Sequence, residues 1–234
     1  MNNTPTVLII NASPRGERSL SREMASYFEE NWLTRLPDSK IIVKNVGTEP
    51  PPFVSEAWIA AVFTPPEQRS ATQRKLLEYS DQAISELKAA DTLVIATPMH
   101  NYGVPAALKA WVDQVVRIGE IFSFDLERGD FPLEPILSGK RMVTLTSSGE
   151  FGFTGNGIRA DWNHLHPHIE VVSRYFGVSH SWQQGIEYQE FGDKRFEDSK
   201  AKSFAAIPVI VDEVLSSFDR EKRLPLANAK TLEG

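Results

Sequence analysis

Hydrophobic residues along the chain change their period in a regular order. Val7-Leu8-Ile9-Ile10 is a short, β-branched-rich run with no polar interruption, the pattern of a strand covered on both faces, and it gives way at Asn11 to the polar Ser13-Pro14-Arg15-Gly16. After Ser19 and Ser21 the spacing becomes helical: Leu20, Met24, Tyr27 and Phe28 share one face, and either serine is suited to cap the helix. The order then repeats. Ile41 to Val43 reads as a strand, Leu76, Leu77, Ala83, Ile84 and Leu87 as a helical stripe, and Thr92 to Ala96 as a third strand. Leu108, Trp111, Val112, Val115 and Val116 form the next helical face, Met142 to Leu145 a fourth strand and Val178 to Ile186 a fifth. Alternation of this kind predicts an α/β fold: a five-stranded parallel sheet, doubly wound, with helices on both faces and right-handed crossovers.

Three stretches depart from this rhythm. Pro50 to Pro66 is proline-rich around Trp58 and Phe63, and Ile118 to Pro135 is rich in aromatic and charged residues; insertions of this kind build substrate pockets or subunit contacts. The last helical stripe, Phe204, Ile207, Val211, Val214, Leu215 and Phe218, contains Pro208, which removes a backbone donor and predicts a kink or a restart. Residues 1–218 therefore read as one domain and residues 219–234 as a polar C-terminal tail.

Composition narrows the function. The 234 residues, 41% hydrophobic and 10% aromatic, suffice for one full core. A net charge of −6 with no basic stripe argues against nucleic acid as a partner. The absence of cysteine excludes disulfides, thiol catalysis and thiolate metal sites, so redox chemistry needs a bound cofactor. The polar start Met1 to Thr6, followed by only four apolar residues, predicts no membrane association and a cytoplasmic location.

In an open parallel sheet ligands bind beyond the carboxyl ends of the strands. The first such loop, Ser13 to Ser21, offers hydroxyls and arginines at a helix start and suits a phosphate, although an ordinary N-cap with a solvated basic loop has the same appearance. The second, Thr97 to Pro105, brings Met99, His100, Asn101 and Tyr102 to the end of the third strand, where an amide and apolar side chains could hold a flat heteroaromatic ring. The third, Thr146 to Gly152, has small residues that permit close backbone approach. Gly-x-x-x-x-Gly-Lys-Ser/Thr is absent, and Gly152, Gly155 and Gly157 do not match the dinucleotide fingerprint. No Gly-x-Ser-x-Gly elbow is present. His164-Leu165-His166-Pro167-His168 reads as a polar helix entry in preference to a metal site, because no carboxylate converges on it in the sequence and Pro167 disturbs the helix.

Pro98-Met99-His100-Asn101-Tyr102, followed by Pro105, Leu108-Lys109, Trp111, Asp113 and Gly119 to Phe124, resembles the FMN-dependent NADH-azoreductases of the flavodoxin-like quinone reductase superfamily, in an element order running from Val7 to Ser217. Members usually read Pro-Met-Tyr-Asn-Phe, with tyrosine and phenylalanine where this chain has His100 and Tyr102, and more often Arg-Gly-Gly at Ser148-Gly149-Glu150. The resemblance implies a flavodoxin-like fold and bound FMN, with Ser13, Ser19, Leu20 and Ser21 at the phosphate, Pro98, Met99, His100, Asn101 and Tyr102 at the ring, and Ser147, Ser148, Gly149 and Glu150 at its pyrimidine edge, Glu150 through its backbone amide. It also implies a homodimer with shared active sites, and ping-pong transfer of hydride from NADH or NADPH through flavin N5 to a quinone or azo compound. His100 would then be a contact for the acceptor, and no catalytic side chain is required. The alternative, a flavodoxin-type electron carrier without its own turnover, is disfavoured by the missing Thr-x-Thr-Gly-x-Thr loop and by the aromatic insertions.

Overall fold

The computed structural model describes residues 4–223. Five parallel strands form the central sheet: β1 (Val7–Asn11), β2 (Ile41–Lys44), β3 (Thr92–Pro98), β6 (Lys140–Ser147) and β7 (Val178–Ile186), in the order β2-β1-β3-β6-β7. The three strands at its centre are buried almost throughout, which is why they read as unbroken apolar runs. β3 and β6 run beyond the hydrophobic stretches, to Pro98 and Ser147. Pairing between neighbours carries a strand past its apolar core, and Pro98 still faces Ser147 in register.

Alternate strand residues face opposite layers. Leu8, Ile10, Leu93, Ile95 and Met142 pack beneath α3 (Ala71–Ala89), α4 (Ala106–Val115) and α5 (His166–Ser173). Val7, Ile9, Val94, Val143 and Leu145 meet α1 (Leu20–Arg35) and α6 (Lys194–Arg223). The expected doubly wound sheet with helices on both faces is therefore found. α1 and α6 present Met24, Phe28 and Trp32, and Ile207, Val211 and Val214, to the same layer. Helical assignment continues without a restart through Pro208 and on to Arg223, five residues into the segment expected to be a tail; the remainder of that tail lies outside the described residues.

Both insertions contain regular structure. Residues 56–63 form α2 (Glu56–Phe63), whose Ser55 cap accepts a hydrogen bond from Trp58 N; the prolines on either side conceal a helix too short to show a clear period. Gln114 donates from Nε2 to the Pro52 carbonyl at 2.8 Å and ties this segment to α4. The second insertion forms an antiparallel hairpin, β4 (Phe122–Phe124) with β5 (Leu133–Pro135). At its base the buried Arg117 donates to Ser80 Oγ, 2.9 Å, and pairs with Asp81 and Glu120. No helix of the described residues is long and apolar enough to cross a membrane.

Candidate active site

The first loop leaves β1 at Asn11 and keeps its pairing for one more step, from Ala12 N to the Ala96 carbonyl at 2.8 Å. Ser13, 2% exposed, then turns the chain under α1. Ser19 has extended backbone angles and caps α1, its Oγ accepting from Arg22 N at 3.2 Å and lying 3.2 Å from Ser21 Oγ. The amides that open a helix have no partner within it, so those of Leu20 and Ser21 add to the positive end of the helix dipole an anion-binding set of donors. Arg15 and Arg18 line the same cavity.

A further layer supports this loop. Arg22 donates to Asn45 Oδ1 and, at 3.5 Å, to the Ser13 carbonyl, while Asn11 Nδ2 donates to Asn45 Oδ1 at 3.2 Å. Gly47 N donates to the Asn11 carbonyl at 3.0 Å, and a Cβ on Gly47 would sit 2.3 Å from the Ser13 carbonyl carbon and oxygen. Glycine is thus required by the close approach of two backbones. Asn45 and Gly47 follow the second strand and belong to no motif, so sequence reasoning passed over them.

The second loop is clamped to the third by a 2.8 Å bond from Met99 N to the Ser147 carbonyl. His100 and Gly103 exchange two backbone bonds of 3.0 Å, and between them Asn101 and Tyr102 have φ of 47° and 68°. Positive φ at both central residues of a tight turn suits Asn-Gly, and a tyrosine there stores roughly 1–2 kcal/mol of strain. Such strain is found at ligand sites, where the surrounding structure holds it. Here the hold includes His164 N donating to the Tyr102 carbonyl at 2.8 Å, and Phe153 and Trp162 packed on the Tyr102 ring at 6.2 and 5.8 Å. Burial, followed by the charge of Arg15, lowers the His100 pKa, which favours the neutral imidazole.

The third loop continues the β6–β7 pairing past both strands. Ser148 N donates to the Ile186 carbonyl, and the amides of Gln189, Glu190 and Tyr188 donate to the carbonyls of Ser148, Gly149 and Glu150 at 3.1–3.2 Å. The Glu150 carboxylate turns aside to Arg159 Nη2, 3.0 Å away, while its carbonyl accepts from Ser148 Oγ at 2.9 Å. Phe151 stacks on Tyr188 with ring centroids 4.4 Å apart. The segment 187–191 was not anticipated as part of the site. Its cue was present, since it follows the fifth strand at the ligand-binding edge.

These loops enclose two adjoining cavities. One, about 90 Å³, is lined by Ser13, Arg15, Arg18, Ser19, Leu20, Pro98 and His100. The other, about 260 Å³, is lined by Asn101, Tyr102, Ser148, Glu150 and Phe153. Met99, Gly149 and Glu190 border both, and Ser147 borders the first. Of the residues picked out from the sequence, Ser21 alone lines neither cavity: it is buried behind the cap. A third cavity, about 270 Å³, runs past Met99 and Ser148 to His166. His166 opens α5 with Nδ1 3.0 Å from Asn163 Nδ2, and burial lowers its pKa. No three histidine, aspartate or glutamate side chains of the described residues converge as metal ligands.

Residues 5–207 match the family model described as having the flavodoxin-like fold. An "FMN-dependent NADH:quinone oxidoreductase 2" from Colwellia psychrerythraea is 48% identical over 197 residues, covering 84% of this chain and 90% of that protein. An "FMN-dependent NAD(P)H:quinone oxidoreductase 1" from Pseudomonas aeruginosa is 42% identical over 194 residues, covering 82% and 92%. Among solved structures, an FMN-dependent NADH-azoreductase from Bacillus anthracis in complex with FMN superposes with a TM-score of 0.78 at 19% identity, covering 90% of this chain and 99% of that one.

Proposed function

The chain belongs to the flavodoxin-like family of FMN-dependent NADH:quinone oxidoreductases, and from this we propose that it binds FMN in the two joined cavities and uses NADH or NADPH to reduce quinones and azo compounds. The observation that carries this reading is the division of labour along one cleft. Its narrow end has serine hydroxyls, helix amides and two arginines, its middle is bordered by Met99, Gly149 and Glu190, and its wide end carries the aromatic rings of Tyr102 and Phe153. A molecule with a phosphate at one end, a polyol in the middle and a flat ring at the other meets fitting groups throughout. Ser13, Ser19 and Leu20 would hold the phosphate, with Ser21 behind them supporting Ser19 through its hydroxyl, Pro98 to Tyr102 the ring, and the backbone of Ser147 to Glu150 its hydrogen-bonding edge. When bound, FMN supplies two-electron exchange at flavin N5, so no protein nucleophile is needed.

The chain's own groups set the conditions. Arg159 neutralises Glu150, so that carboxylate does not oppose negative charge at the ring. A neutral His100 offers the acceptor a hydrogen bond at the cavity wall. Donor and acceptor share the wide end and enter it in turn, a ping-pong order. The aromatic side chains exposed on both insertions suit a homodimer in which each site is completed by the neighbouring subunit. A nicotinamide donor accords with a cytoplasmic location.

The test is spectroscopic. The purified protein is mixed with FMN, titrated anaerobically with NADH and then NADPH, and given benzoquinone or an azo dye. Bound flavin that bleaches and is reoxidised is the expected result. No flavin binding removes the proposal, and binding without bleaching by either nucleotide makes the chain an electron carrier.

A further inference from the structure

We infer that Glu190 is a specificity-determining residue that makes the acceptor site favour aromatic acceptors carrying a positive charge over those carrying a carboxylate or sulfonate. This rests on the reading above for the identity of the site, and on the charges around the cleft for its direction. Glu190 borders both joined cavities. Its backbone is fixed by the donation from Glu190 N to the Gly149 carbonyl at 3.1 Å, and the amides of Tyr188 and Gln189 clamp the same turn to Glu150 and Ser148. Its side chain lies across Gly149, where a Cβ would meet Glu190 Cγ at 2.5 Å.

Among the described residues Glu190 forms no ion pair, whereas the other carboxylates of this edge are held by cations or backbone amides. Glu150 pairs with Arg159 at 3.0 Å. Arg195 is held by Asp193 at 2.6 Å and lies over the Phe191 ring at 4.5 Å. The Glu187 carboxylate accepts from Gly152 N at 2.9 Å, and Lys202 borders the same third cavity. Arg15 and Arg18 stand at the narrow end, where a phosphate carrying about two negative charges offsets them. Among the described residues the Glu190 carboxylate is without a cation or backbone-amide partner, and it adjoins a cavity walled by Tyr102 and Phe153. Aromatic faces and a carboxylate together recognise an aromatic cation, and the same carboxylate repels an aromatic anion.

Two matched azo dyes, one bearing trimethylammonium and one bearing sulfonate, are compared by kcat/KM. In parallel, the redox-inert phenyltrimethylammonium and benzenesulfonate are titrated into FMN-loaded protein by calorimetry. In each comparison the cation is expected to be favoured by about five- to tenfold at low salt, the ratio shrinking as salt rises. In Glu190→Gln, with flavin absorbance checked for equal loading, both ratios fall toward one. Ratios near one or reversed in the unmodified protein, or ratios retained in the variant, overturn the inference. If benzoquinone is not reduced at all, the functional reading fails, and the inert pair still decides whether Glu190 sorts ligands by charge.

Discussion

Gly47 contributes no side chain to the cleft, yet it sets where the first loop can lie. It packs its α-carbon against the Ser13 carbonyl and ties its amide to Asn11, and Arg22 and Asn45 complete the support. A methyl group added at 2.3 Å from backbone atoms must push one chain away from the other. Gly47→Ala is therefore expected to cost about 1–3 kcal/mol of stability by overpacking and to weaken FMN binding by about tenfold or more by displacing the helix-end donors. Thermal unfolding and a fluorescence titration with FMN check both numbers. An alanine variant that binds FMN as tightly as the parent would show that the approach of the two backbones has no bearing on the site. Tyr102 makes a related point: asparagine at position 101 suits a left-handed backbone, but the tyrosine is held in it by contacts to His164, Phe153 and Trp162 and not by its own preference.

At the scale of elements, α6 continues past a residue that normally ends or bends a helix. Pro208 cannot donate to the carbonyl one turn back, a defect worth up to about 3 kcal/mol in a helix interior. Burial of Ile207, Val211 and Val214 against β6 and α1 holds the helix together across it, and Arg35 Nη2 lies 3.4 Å from the Pro208 carbonyl. Pro208→Ala should restore the missing bond and stabilise the protein by about 1–2 kcal/mol, raising the thermal midpoint by a few degrees. An unchanged or lowered midpoint would mean that the proline ring makes packing contacts worth as much as the bond.

At the scale of the molecule, large apolar side chains lie exposed on three separate segments: Phe53 and Phe63 beside α2, Leu126 and Phe131 in the hairpin, and Ile158 and Trp162 after β6. Exposed apolar side chains of this size mark an interface where they gather on one face. A subunit contact through them predicts a solution mass of twice 26.2 kDa. Phe63→Asp combined with Phe131→Asp should then shift the light-scattering mass toward one chain and lower quinone turnover several-fold, as each site loses its neighbouring wall. A parent protein with the mass of one chain would remove the shared-site proposal and leave the cleft to work alone.

The sheet was legible in the sequence because a strand covered on both faces has to be apolar without a break, and the helices between strands because one face of each has to be apolar at a 3.6-residue period. The three candidate loops followed from where strands end. α2 and the hairpin were not legible, since prolines, charges and short length hide their periods. The loop after β7, with Tyr188 and Glu190, was missed for a different reason: it joins the cleft only through pairing that β6 and β7 extend beyond their ends. Local pattern thus determined the layers and the kind of ligand edge. Which residues meet there, including Gly47 beneath Ser13, Arg159 on Glu150 and Glu190 across Gly149, was decided by the tertiary structure, because those contacts join segments distant in the chain and leave no periodic trace in it.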